Sequence, residues 1–206
     1  MIAHCQNLTA DRALGKEWER NFCRLAADYG FMFSPLQIGH NGSAVAYTRT
    51  DRKWNRFTLP DVTVWSYPGQ HHEIKHKNPT RDGCFGLEVY RLNALVAFAE
   101  ETRQHVLYTI HNHDLSGGRN GTENHIEHWW TVRVEDLVDT HRRQQRLTSW
   151  VNSQAQDGIE QRFWDAGLWM PLAAYWAELV PERDNVLVAA GGWSPDELDE
   201  DGNLRF

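Results

Sequence analysis

The stretch Leu59-Pro60-Asp61, followed by His72-Glu73-Ile74-Lys75-His76-Lys77, decides the fold of this chain. Between these two segments, Ser66-Tyr67-Pro68-Gly69-Gln70 carries residues that favour turns. We therefore predict a hairpin with strands at residues 62–66 and 71–77. Such a hairpin folds the chain back on itself and brings the start of its first strand towards the middle of its second.

Three charged side chains would meet in this hairpin. Side chains alternate along a strand, so Glu73 and Lys75 share one face and Ile74 points to the other. Asp61, at the start of the first strand, would join Glu73 and Lys75. Two carboxylates and an amine at one point can hold a hard divalent cation and activate a water molecule.

Further helices and strands are predicted on both sides of the hairpin. Apolar residues recur at helical spacing between Thr9, a candidate N-cap, and Gly30, a candidate C-cap. A strand is expected around residues 43–48, before a polar connection. A helix is expected through residues 87–98, after a loop, and a buried strand at residues 106–110. The resulting element order is α-β-β-β-α-β.

The Pro-Asp and Glu-x-Lys residues, in this element order, resemble the PD-(D/E)XK nuclease superfamily. The resemblance implies an α/β fold, with a restriction endonuclease-like αβββαβ core around a mixed α+β sheet. It also implies Mg²⁺ or Mn²⁺ as cofactor and DNA as substrate, cleaved without a covalent intermediate. Asp61, Glu73 and the backbone carbonyl of Ile74 would bind the metal. Lys75 would position the attacking water or stabilise developing negative charge.

The first helix extends this resemblance. Gly15-Lys16-Glu17-Trp18-Glu19 is similar to the G-x-x-x-E start of the first helix in Mrr-type restriction endonucleases and archaeal Holliday-junction resolvases. By that match Glu19 is the fourth catalytic residue and a further metal ligand, with Glu17 as its rival. Gly15 lies one turn earlier on the same face, where the missing side chain would allow a close approach.

The second helix and the histidines leave alternatives open. Many relatives direct a polar residue, often glutamine, from the second helix towards the site, and the candidates here are Glu88, Tyr90, Arg91 and Asn93. Because imidazole suits zinc, a zinc site is an alternative for the motif histidines, which are His71, His72 and His76. The tetrapeptide His111-Asn112-His113-Asp114 is interpreted as the polar end of a strand, not as an HNH nuclease signature.

Length and charge set the organisation. The chain has 206 residues, which favours a single domain over residues 1–206, with a core at about 9–118 and an aromatic-rich elaboration at about 119–206. This elaboration is expected to be a helical extension, with a strand at 129–134, helices at about 135–150 and 158–179, and an edge strand at 186–190. The net charge of -7 argues against non-specific coating of nucleic acid. Contacts with DNA phosphates are instead predicted at local basic residues, which are Lys53, Lys77, Arg81, Arg142 and Arg143.

Other patterns narrow the class of protein. Cys5, Cys23 and Cys84 are far apart, and no C-x-x-C occurs, so neither a disulfide framework nor a zinc ribbon is indicated. No apolar run is long enough to span a bilayer, and residues 1–6 lack the pattern of a secretory signal. We expect a cytoplasmic protein with no membrane partner. A Walker A sequence is also missing.

Partners and rival functions follow from the resemblance. Nucleases of this class often act as homodimers, and an aromatic interface is predicted from Trp129, Trp130, Phe163, Trp164, Trp169, Tyr175 and Trp176. Restriction or phage defence, junction resolution and repair are the expected roles, with other proteins of a defence or recombination system as further partners. The alternatives are a catalytically silent, nuclease-like DNA-binding or assembly subunit, and a nuclease directed at RNA.

Overall fold

The computed structural model describes residues 8–35, 45–50, 53–65, 69–112, 124–147 and 159–178. Its helices are α1 (Leu8–Asp28), α2 (Val89–Thr102), α3 (Val134–Val138) and α4 (residues 172–178). The first strands are β1 (Met32–Pro35), β2 (Val45–Thr50), β3 (Lys53–Thr58), β4 (Val62–Trp65), β5 (Gln70–His76) and β6 (Cys84–Glu88). The later ones are β7 (His105–His111), β8 (Trp129–Arg133), β9 (Arg143–Leu147), β10 (Ile159–Asp165) and β11 (Met170–Pro171). Two short 3₁₀ turns lie at Ile126–His128 and Ala166–Leu168.

A six-stranded mixed sheet forms the centre of the fold. Its strand order is β1-β4-β5-β7-β8-β11. Only β5 and β7 run parallel, and α2 lies in the connection between them, as a parallel pair requires. The other neighbours are antiparallel. The predicted fold class, an α/β fold with a mixed sheet and an αβββαβ core, is confirmed.

The hairpin predicted around the Pro-Asp and Glu-x-Lys residues is confirmed. Strands β4 and β5 pair antiparallel, with Val62 opposite His72 and Val64 opposite Gln70. Asp61 directly precedes β4, so the same register brings it to the level of Glu73. The turn residues 66–68 lie outside the described part of the chain.

The first core strand is not the predicted one. Residues 45–50 are extended, but they pair with β3 in a separate two-stranded ribbon, and β1 takes the place beside β4. The polar connection predicted after residues 43–48 is therefore wrong for residues 53–58, which form β3. Charged and amide residues made β3 look like a loop, yet a two-residue link between two extended segments is the usual geometry of a hairpin.

The two faces of the large sheet bury different apolar clusters. Helix α1 covers the face that carries Val62, Val64 and Ile74, and contributes Trp18 and Phe22 to that cluster. Helix α2 covers the opposite face, where Leu92 and Leu95 pack against Val106, Tyr108 and Ile110. Alternate residues of β5 therefore face α1 on one side of the sheet and α2 on the other.

The region after residue 118 is built mainly from strands in its described part, so the prediction of a helical extension is wrong there. Helix α3 ends at Val138, and the strands β9 and β10 replace the expected helices at 135–150 and 158–179, except for α4. The physical reason is pairing: β10 forms a three-stranded sheet with β6 and β9. Local apolar spacing does not reveal such a distant partner strand. The expected strand at 186–190 lies outside the described residues.

The predicted aromatic dimer interface is also wrong. Its members lie inside the protein: Trp129, Trp164 and Trp176 are fully buried, and Phe163, Trp169 and Tyr175 nearly so. Trp130 is partly buried against the α2 cluster. Side chains that are buried within one chain are not exposed to contact a second chain. No helix among the described residues is long and apolar enough to cross a membrane.

Candidate active site

Three of the predicted site residues converge at the start of the β4–β5 hairpin. The backbone N–H of Ile74 donates a hydrogen bond to Asp61 Oδ2 at 2.8 Å, which fixes that carboxylate against β5. Lys75 Nζ lies 2.6 Å from Glu73 Oε1 and 3.9 Å from Asp61 Oδ2. Strand alternation on β5 and the hairpin register thus place two carboxylates and an amine together.

Arg91 enters the same site from the first turn of α2. Its Nε donates to Glu73 Oε1 at 2.9 Å, and its Nη2 donates to Glu73 Oε2. The same Nη2 lies 4.0 Å from Asp61 Oδ1 and donates to the carbonyl of Leu59 at 3.2 Å. The sequence offers four polar candidates at or near the start of this helix, and the choice among them depends on the residue at which the helix begins.

Glu19 belongs to the same electrostatic environment. Burial raises the pKa of Glu19 to about 7, and the charges of Asp61 and Glu73 add to that rise, while Lys75 opposes it. Glu17, its rival, is exposed on another face of α1. The structure therefore brings Glu19 near the other predicted site residues. A Cβ added at Gly15 would meet no atom of the described residues within 4 Å, so the close approach predicted there involves none of those atoms and stays a prediction for a bound ligand.

The charges of the site are unequally compensated. Burial raises the pKa of Asp61 to about 6, and the neighbouring Glu73 raises it further, against the opposing effects of Lys75, the Ile74 N–H and Arg91. Burial alone would also raise the pKa of Glu73, but Lys75 and Arg91 together bring it below its usual value. Burial would lower the pKa of Lys75, but Glu73 and Asp61 outweigh it and raise that pKa. Lys75 therefore stays protonated near neutral pH.

The chemistry of these residues suits a hard divalent cation. Carboxylate oxygens are the ligands that Mg²⁺ prefers, and a bound cation would favour the ionised forms of Glu19 and Asp61, whose pKa values are raised first by burial and then by neighbouring acids. Glu73, however, is already engaged through both of its oxygens by Arg91. Within the described ranges, no group of three or more His, Cys, Asp or Glu side chains is close enough together to hold a metal ion. The carboxylates are therefore of the chemical type that binds a divalent cation, but one of them, Glu73, is already bound by Arg91.

The predicted zinc alternative receives no support from the histidines. His71 Nδ1 lies 2.9 Å from Thr63 Oγ1, and His72 Nδ1 lies 2.8 Å from Thr109 Oγ1. His76 is stacked on Trp18, with 4.5 Å between ring centroids. These side chains pack and hydrogen-bond on their own sheet faces, and alternation along β5 directs His72 and His76 away from Glu73.

The predicted phosphate contacts are spread over different surroundings. Lys77 Nζ donates to the carbonyl of Gly86 at 2.7 Å, and burial lowers the pKa of Lys77. Arg142 lies 2.9 Å from Asp165, and Arg143 lies 2.8 Å from Asp82, so nearby acids balance both arginines. Arg81 is exposed, and the side chain of Lys53 lies outside the described part of the structure.

Comparisons with known proteins add little to this geometry. No family model matches the sequence, and no curated protein matches it. Among solved structures, the chain is similar to Hjc, a Holliday junction resolvase from the archaeal hyperthermophile Archaeoglobus fulgidus. The two chains share 14% sequence identity over 78% of this chain and 98% of that chain, with a TM-score of 0.46. A similarity this weak assigns no residue and no activity.

Proposed function

We propose that this protein is a Mg²⁺- or Mn²⁺-dependent nuclease that hydrolyses phosphodiester bonds in DNA. The observation that supports it most is the convergence of Asp61, Glu73 and Lys75, with Lys75 Nζ 2.6 Å and 3.9 Å from the two carboxylates. Glu19 adds a third carboxylate whose pKa responds to the other two. An ordinary ion pair on a strand joins one acidic and one basic side chain. This site instead combines one lysine with three carboxyl groups and a buried arginine.

The roles of the side chains follow from their charge and position. Asp61, Glu73, Glu19 and the carbonyl of Ile74 would hold the metal, which would neutralise phosphate charge and make a bound water more acidic. Lys75 is protonated, so it acts as a hydrogen-bond donor and positive charge towards the scissile phosphate and the attacking water. It does not act as the general base, because it carries no free electron pair in that form.

The wider assignments belong to the same proposal. The substrate surface would include Lys53, Lys77, Arg81, Arg142 and Arg143, and replacing the last two should weaken binding to DNA and flatten its salt dependence. The protein would be a single domain that acts in the cytoplasm as a homodimer. Its role would be in defence, junction resolution or repair. Its partners would be DNA and other proteins of such a system. Incubation with supercoiled, linear, branched and single-stranded DNA, and with RNA, would separate these substrates.

A second candidate is a nuclease-like subunit that binds DNA without cutting it. The engagement of both Glu73 oxygens by Arg91 favours it, because a ligand held by an arginine is less available to a metal. Its retained Asp61, Glu73 and Lys75 argue against it. DNA binding without cleavage of any of the substrates above, in Mg²⁺ and in Mn²⁺, would favour this candidate over the nuclease.

Asp61→Asn tests the proposed site. The amide keeps the size of the side chain and can still accept the hydrogen bond from the Ile74 N–H, but it removes the charge of a metal ligand. We expect cleavage to fall by about a hundredfold or more with no loss of thermal stability, because burial already disfavours the charged form of Asp61. Asp139→Asn, an exposed aspartate at the end of α3, is the matched control and should cleave at the wild-type rate. Wild-type cleavage by Asp61→Asn would refute the site assignment.

A further inference from the structure

Arg91 ties together the two carboxylates that the proposed function assigns to the metal. It binds both oxygens of Glu73 in a fork, and its Nη2 lies 4.0 Å from Asp61 Oδ1. The bond from Nη2 to the Leu59 carbonyl anchors it further, at the residue before Pro60-Asp61. Its side chain is only 8% exposed, against 33% for Lys75. A buried arginine in this position is part of the site and not a passing surface contact.

The charges immediately around Glu73 are balanced before any divalent cation binds. Asp61 and Glu73 carry two negative charges when ionised, and Lys75 and Arg91 carry two positive ones within 4.0 Å of them. Charges this close and this buried interact more strongly than they would in water. A metal ion approaching Glu73 must therefore compete with a cation that the protein already holds there.

A phosphodiester changes that balance. A guanidinium binds phosphate oxygens in the same forked geometry in which it binds a carboxylate. A phosphate at the site would compete with Glu73 for Arg91. Glu73 would then keep only Lys75 as a close cation, and its oxygens would be open to a metal ligand bond.

We propose that Arg91 is a positioning residue that couples the two ligands: it holds Glu73 in the free protein, and a bound phosphodiester draws it off so that metal and substrate bind cooperatively. This inference rests on the proposed function, and it adds how the site is regulated. Coupling of this kind is reciprocal, so the metal must strengthen binding of the phosphodiester by the same factor.

Calorimetric titration with Ca²⁺ tests the coupling without relying on cleavage. Ca²⁺ shares the oxygen ligands of Mg²⁺. It would be titrated into wild type, Arg91→Gln and Arg103→Gln, each alone and with a short DNA duplex, and into the duplex alone as a blank. Arg103 is exposed at the other end of the same helix, so its replacement is the matched loss of charge.

The proposal predicts opposite behaviour in the two variants. In wild type and Arg103→Gln, the duplex should tighten Ca²⁺ binding by about tenfold or more. In Arg91→Gln, Ca²⁺ should bind about tenfold more tightly than in wild type when no duplex is present, and the duplex should add less than about twofold. Should Arg91→Gln unfold, Arg91→Lys keeps the charge without the fork, and Ca²⁺ should raise its melting temperature more than that of wild type.

Two other results would count against it in different ways. If Arg91→Gln binds Ca²⁺ no more tightly than wild type, and the duplex helps both equally, Arg91 is a structural ion pair and only this inference is overturned. If neither protein binds Ca²⁺, with or without the duplex, no metal site exists, and the proposed function is overturned together with the coupling.

Discussion

Glu19 and Glu17 differ by two positions on α1 but lie in different surroundings. Glu19 is partly buried beside the site carboxylates, which contribute to its raised pKa of about 7, whereas Glu17 is exposed. Glu19→Gln should lower metal-dependent cleavage by about a hundredfold, because it removes a ligand charge, and Glu17→Gln by less than about twofold. Cleavage rates at saturating Mg²⁺ decide between them. Activity that survives in Glu19→Gln and is lost in Glu17→Gln would reverse the assignment.

His72 offers a pH-dependent prediction on the opposite face of β5. Its ring lies between Thr109 Oγ1 and Gln70 Oε1, and burial lowers its pKa from 6.5 to about 3. The unfolded chain therefore takes up a proton that the folded protein refuses. As pH falls from about 6.5 towards 3, this histidine should reduce the free energy of unfolding by at most about 1.4 kcal/mol per pH unit.

Denaturant titration at several pH values measures that effect. His72→Gln should lose less stability than wild type between about pH 6.5 and about pH 5, by roughly 1 to 2 kcal/mol. His125→Gln, an exposed histidine, is the matched control and should follow wild type. Parallel pH profiles for wild type and His72→Gln would show that another group causes the acid sensitivity.

Much of the candidate site was predictable at the level of residues, and the reason is local geometry. The convergence of Asp61, Glu73 and Lys75 depends only on a hairpin, which the turn residues predict, and on the alternation of side chains along a strand. Arg91 was not predictable, because a shift of one residue in the start of α2 would turn it away from Glu73. The roles of all these side chains in metal binding and catalysis stay predictions.

Individual elements depend on close packing at single glycines, and β6 gives the sharpest case. A Cβ on Gly86 would lie 2.8 Å from Phe163 Cε1 on the paired strand β10. Gly86→Ala should therefore lower the free energy of unfolding by about 1 to 3 kcal/mol, because the buried ring must shift. Gly15→Ala, inside α1 with no described atom within 4 Å of the added Cβ, should raise it by roughly 0.5 to 1 kcal/mol.

Denaturant unfolding of the two glycine variants distinguishes tight from open packing. Gly15→Ala should also keep wild-type cleavage unless a bound ligand approaches the helix at this residue. A destabilised Gly15→Ala would mean that something approaches this turn of the helix after all. An unchanged Gly86→Ala would mean that β6 and β10 lie further apart than described.

Some helices and strands were predicted correctly and others were not, and the difference depends on how far away in the sequence their partner strands lie. Helix α1 and the strands β4 and β7 carry their own signals: apolar residues at helical spacing, and runs of β-branched and aromatic residues. Strand β5 was predicted from the turn residues that precede it. Strand β10 carries a signal that fits a helix as well, since its apolar residues, which include the adjacent Phe163 and Trp164, follow no strict alternation. Its pairing with β6, far earlier in the chain, decided the outcome.

At the scale of the whole molecule, the proposed homodimer needs a surface other than the buried tryptophans. The exposed large apolar side chains include Met32 and Trp65, which face each other across β1 and β4. We predict a mass of two chains in solution at micromolar concentration, measured by light scattering. Trp65→Gln should shift the mass towards one 23.9 kDa chain, while Trp130→Gln should not. A wild-type mass of one chain would contradict the homodimer.

The pairing of β6 with β10 also bears on how the chain is made. A ribosome adds roughly 5 to 20 residues per second, so β6 and α2 emerge several seconds before β10 can reach them. During that interval the edge of β6 that later pairs with β10 has no partner strand, and the α2 residues of the same apolar cluster lack Trp164 as a neighbour. The nascent chain must therefore pass through a stage in which one edge of β6 is unpaired. A chaperone that binds the nascent chain would be most useful at that stage. Synthesis on stalled ribosomes, ended before and after β10, would show protease resistance only in the longer chain.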